Sequence, residues 1–169
     1  MKKLLIPIIL LLVFFMFSCT LDYTKPIETQ PGTVFFDPPT IVALRGASIS
    51  FDIKVNTGKE KVAAYGIKLK YDPTYIKIEK DKDGKVRIEA ANEGFLAAAN
   101  LLSDGELFFT GFDTVGKGPS ENLHLVIVYF EMLNKKGTTN ITLLVENLKN
   151  EKTKAIGMEQ GKGLELTIK

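Results

Sequence analysis

The sequence predicts an all-β sandwich formed by one domain, and two observations carry that prediction. Apolar residues recur at every second position over several short segments, the period of a half-buried strand. Turn-forming clusters separate these segments at intervals of about 8 to 12 residues, the spacing of a sandwich. The composition agrees with a globular domain: 169 residues, 45% hydrophobic and 25% charged, with one Cys, one His and no Trp. It excludes disorder, a disulfide framework and a Cys/His zinc site.

Taken from the N-terminus, Met1-Lys2-Lys3 precedes an apolar run from Leu4 to Phe17. A basic segment before about 7 to 15 apolar residues is the pattern of a secretory signal, and the run is shorter than the roughly 20 residues of a spanning helix. It ends at Phe17-Ser18-Cys19, which resembles the lipobox of bacterial lipoproteins. That resemblance implies cleavage after Ser18 and a lipid on Cys19, with residues 1–18 as signal peptide. Cleavage would remove Lys2 and Lys3 and leave 20 basic against 20 acidic residues, so the net charge of +2 belongs to the leader. A neutral chain gives no electrostatic footprint for nucleic acid. Thr20 follows the cysteine where Asp is absent, which resembles an outer-membrane sorting signal. The expected location is therefore the cell envelope, at the outer membrane or cell surface in a Gram-negative cell. Residues 19–32, with Pro26, Pro31 and Gly32 and no apolar period, read as a tether. The domain is expected over residues 33–169.

Within it, Ile49, Phe51, Ile53 and Val55 alternate with polar residues, as do Tyr65, Ile67, Leu69 and Tyr71. Further strands are expected at Thr33 to Phe36, Tyr75 to Lys80, Lys85 to Glu89, Glu106 to Phe112, Leu123 to Leu133, Asn140 to Glu146 and Leu164 to Ile168. Turns at Tyr71-Asp72-Pro73, Asp83-Gly84, Asp104-Gly105, Gly116 to Pro119, Lys136-Gly137 and Gly161 to Gly163 separate them. The stretch Ala90 to Leu102 has the composition of a helix, but its place in a strand series favours a strand from Gly94 to Asn100. Two segments, ELFFTGF (Glu106 to Phe112) and LHLVIVYF (Leu123 to Phe130), carry large apolar residues on both faces. One face must be core. The other is either covered by another element or exposed as a binding patch.

The order of these pieces resembles a cohesin domain. It runs from the strand at Gly46 to Val55, through the Tyr65 to Pro73 strand exit (YGIKLKYDP), to Asp104-Gly-Glu-Leu-Phe-Phe-Thr-Gly-Phe-Asp113. It continues through Leu125 to Glu131, Gly137 to Leu143 and Gly163 to Ile168. The resemblance implies a nine-stranded antiparallel jelly roll over about Thr33 to Lys169. It also implies a non-catalytic module that binds dockerin-like proteins, typically borne by polysaccharide-degrading enzymes, on the flat face of its third, fifth, sixth and eighth strands. Carried onto this chain, that face uses Ala64, Gly66, Lys68, Lys70, Phe108, Phe112, Thr142 and Leu144. Ala64 and Gly66 stand where many dockerin-binding cohesins place an Asn and an Asp, so a different partner is compatible with the fold.

Other chemistry is weakly represented. His124 lies in an apolar strand, with no nucleophile elbow or triad setting elsewhere. Asp81 and Asp83 belong to a charged Lys80 to Lys85 turn. It has the D-x-D-G fragment of a calcium loop, but Ala90 stands where a bidentate Glu is needed, so no cofactor is expected. Tyr65, Tyr75 and Tyr129 are the aromatics that could stack on sugar rings. The alternatives left open are a carbohydrate-binding module binding polysaccharide and a structural envelope lipoprotein.

Overall fold

The computed structural model describes residues 28–90 and 95–169, so the leader, Cys19 and most of the tether lie outside the described residues. Among the described residues, eleven strands form two sheets: β1 (Val34–Asp37), β2 (Thr40–Ala43), β3 (Ser48–Val55), β4 (Val62–Lys70), β5 (Ile76–Ile78), β6 (Ile88–Ala90), β7 (Leu96–Ser103), β8 (Glu106–Lys117), β9 (Leu123–Met132), β10 (Gly137–Lys149) and β11 (Leu164–Ile168). The first sheet runs β1-β3-β9-β5, with β6 also on β9; the second runs β2-β11-β10-β4-β8-β7. All pairs are antiparallel except β2 with β11.

The all-β sandwich is as expected, but its strand count is eleven rather than nine. The one strand with no expected segment is β2, four residues behind Pro38-Pro39, too short to display an alternation. Within the helix-like stretch Leu96–Ser103 is a strand, held by seven register pairs to β8, while the expected start at Gly94 lies outside the described residues. Tertiary pairing there outweighs the helical preference of its alanines and leucines.

Inward residues follow the period of 2. Phe51, Ile53 and Val55 of β3, Tyr65, Ile67 and Leu69 of β4, and Leu107 and Phe109 of β8 meet Val126, Val128 and Phe130 of β9 in one core. Phe51 lies 5.1 Å from Phe130 within the first sheet, and Tyr71, at the end of β4, ties the layers together by packing edge-on to Phe130 at 5.4 Å. Tyr71 begins the predicted turn. Asp72 Oδ1 then accepts the Thr74 N–H at 2.8 Å and the Thr74 hydroxyl at 2.7 Å, which reverses the chain into β5. Residues 28–32 lie against the body, with Asn56 Nδ2 donating to the Thr29 carbonyl at 2.8 Å and the Gly32 N–H to the Asn56 carbonyl at 2.7 Å.

Candidate functional site

Register pairs in an antiparallel sheet share a face, so the second sheet's outer surface can be read row by row. Thr142, Lys70 and Glu106 form one row; Leu144, Lys68, Phe108 and Asn100 the next. Asn147, Gly66, Thr110 and Ala98 follow, and then Lys149, Ala64, Phe112 and Leu96. All eight residues expected on the partner face, Ala64, Gly66, Lys68, Lys70, Phe108, Phe112, Thr142 and Leu144, therefore lie together on β4, β8 and β10.

The face has two chemically distinct ends. Lys68 Nζ sits 3.1 Å from Glu146 and 3.3 Å from Glu106, so its charge is held in place at the sheet's centre. Bonds to Glu146 and then Glu106 raise the Lys68 pKa above its ordinary value. At the other end Phe112 is 51% exposed and its register neighbour Leu96 is 66% exposed. Between them, Gly66 has no side chain of its own. A Cβ there would meet the Asn147 amide and the Phe108 ring, so those two side chains already lie over it. Thr110 turns its hydroxyl back to donate to the Tyr65 carbonyl at 2.8 Å.

The two strands apolar on both faces have opposite fates. Phe112 of β8 stays exposed and Phe108 half-buried, whereas Tyr129 of β9 is half-buried under the Arg87 guanidinium, 3.8 Å from its ring centre, with its hydroxyl bonded to Glu89. Tyr65 is buried, its hydroxyl donating to the Leu125 carbonyl at 3.1 Å, and Tyr75 lies under Lys135. The three tyrosines thus make no exposed row for stacking on sugar. Asp81 Oδ1 accepts the N–H groups of Asp83 and Lys85 at 2.8 and 2.9 Å and organises the turn.

His124 enters a cluster that sequence reading missed. Its Nδ1 is 2.7 Å from Asp52 Oδ2, and Lys54 Nζ is 2.5 Å from Asp37 and 3.7 Å from Asp52. Asp37 faces Asp52 across β1 and β3, while Lys54 faces His124 across β3 and β9. Acid thus faces acid and base faces base across the strands, and the polar contacts run diagonally or along β3. Asp52 Oδ1 is buried without a partner among the described residues, and this burial raises the Asp52 pKa despite His124 and Lys54.

No family model matches the sequence, and no curated protein matches it. Solved structures do. The sixth cohesin of scaffoldin B from Acetivibrio cellulolyticus, solved in complex with a Cel5 dockerin mutant, superposes with a TM-score of 0.67 at 11% identity. That match covers 83% of this chain and 100% of the other. The chain has the cohesin fold. A non-cellulosomal cohesin from the archaeon Archaeoglobus fulgidus superposes at 0.66 with 14% identity over 83% of this chain and 92% of its own. The cohesin module of a family 33 glycoside hydrolase from Clostridium perfringens gives 0.64 at 10% identity, covering 83% and 100%. The cohesin fold is thus retained here on a sequence with almost no residue-level likeness to these neighbours.

Proposed function

We propose that this chain is a non-catalytic, lipid-anchored binding module of the cell envelope. In this reading it seats a protein partner on the outer face of β10, β4, β8 and β7. The observation that carries the reading is the exposed Phe112–Leu96 pair, a large apolar contact beside the fixed Glu106–Lys68–Glu146 charges. Aromatic residues in such positions are the usual anchors of an interface of about 800 Å² a side. Support at the level of fold comes from solved cohesins, several of them in complexes with dockerins, including one formed by OlpA of Clostridium thermocellum. A dockerin-like module, borne by a polysaccharide-degrading enzyme, is the partner class this favours.

The test is capture from the native envelope and secretome by the full chain, alongside Phe112→Asp. The reading predicts a protein retained by the wild type and lost by the variant. Recovery of glycan ligands with no protein would overturn it. Anchoring is read separately: labelled palmitate should enter the wild type and not Cys19→Ala, and an unlabelled wild type would contradict the anchor.

A further inference from the structure

Most edges of this sandwich carry the marks by which natural sheets avoid pairing with strangers: shortness, charge and proline. β1 and β2 have four residues each and flank Pro38-Pro39, while β5 and β6 have three each and carry Lys77 and Glu89. β7 is the exception. Its eight residues, LAAANLLS, contain no charge and no proline, and among the described residues nothing pairs with its outer edge. Its ladder to β8 is regular from Leu96 to Leu101, with the one register shift falling at its end. Leu96 and Leu102 are 66% and 53% exposed.

We propose that the free edge of β7 is a homodimer interface, on which a second copy of this chain pairs antiparallel about a twofold axis through Ala99. Antiparallel pairing keeps both copies' faces aligned only if paired residues share a face, so the axis must pass through a residue. An axis at Ala98 sets Leu96 against Asn100 and leaves Leu102 uncovered; one at Asn100 sets two asparagines against each other. The axis at Ala99 sets Leu96 against Leu102 in both halves, Ala97 against Leu101 and Ala98 against Asn100. Both exposed leucines are then covered and no charges meet between the paired strands. The partner's Ala97 and Leu101 also lie toward the cleft that this strand forms with Val86, Ile88 and the turn residues Lys80, Asp81 and Lys85. Two six-stranded sheets become one of twelve, with the partner-binding faces side by side. Eight residues a side is well below a standard interface, so the dimer is expected to dissociate on dilution.

Single-cysteine forms of the full chain in a Cys19→Ser background test association and register together. Leu96→Cys mixed with Leu102→Cys should give a disulfide dimer in at least about tenfold higher yield than either protein alone. Sedimentation should show the wild type dimerising with concentration and Leu102→Lys remaining monomeric at every concentration, with its melting temperature unchanged. Equal yields from the single proteins, cross-linking no greater than for exposed Leu44→Cys, or a wild type that stays monomeric would overturn the proposal. Capture lost on Phe112→Asp reads the face of this sheet rather than its edge, so a monomer that still holds its partner removes this interface and leaves the binding reading standing.

Discussion

Asp52 is the residue whose environment has the clearest solution signature. Its half-buried carboxyl has one oxygen bonded to His124 and the other buried without a partner, and burial raises its pKa above 3.8. The folded state therefore binds the Asp52 proton more tightly than the unfolded chain does. Its contribution to stability is present below pH 3.8 and is lost as pH rises through the elevated value. Asp52→Asn removes that loss. Unfolding by urea at a series of pH values between 3 and 5.5 should show the variant gaining stability relative to the wild type as pH rises. A relative loss over that window would contradict the account. Glu79 has the opposite sign: bonds from Ser48 and Arg87 hold its pKa down, so its contribution is lost as pH falls through the lowered value.

At the scale of the strand, β8 joins core to face, and two glycines on neighbouring strands differ in what they allow. A Cβ at Gly111 would overlap the ring of Tyr65, which is boxed by Phe95 at 5.3 Å and Phe109 at 6.4 Å. Gly111→Ala should cost about 1 to 3 kcal/mol in denaturant unfolding, the range for overpacking a filled core. Gly66→Ala meets only the end of Asn147 and the edge of Phe108, so it should cost less than Gly111→Ala. Equal losses would show that Tyr65 is free to move. The strands were legible wherever a period of 2 ran for five residues or more, as from Ile49 to Val55. They were not legible where four residues follow two prolines, as in β2, or where strand ends are polar, as at Gly137-Thr138-Thr139 of β10. That the eight named residues share one outer face was legible because outward parity on β4, β8 and β10 follows from alternation within each strand, while the choice of those strands came from the resemblance to cohesins. The Glu106–Lys68–Glu146 triad and the Asp37–Lys54–Asp52–His124 cluster were not, because each depends on registers among three strands.

For the whole molecule, the two outer surfaces differ in chemistry. The first sheet closes its surface with Arg87 on Tyr129, with Glu89 and with the Asp52 cluster. The second leaves Phe112 and Leu96 open beside fixed charges and ends in the unprotected edge of β7. One sandwich can therefore offer a face to a partner and an edge to its own copy. Its attachment at Cys19, as proposed, would leave both available through the intervening chain. The central claim is that a protein partner docks on the face around Phe112. Calorimetric titration of the captured partner into wild type and Phe112→Asp tests this most directly, with melting curves for both. The account predicts at least about a tenfold loss of affinity for the variant with stability unchanged to within about 0.5 kcal/mol; equal affinity for the two proteins would contradict it.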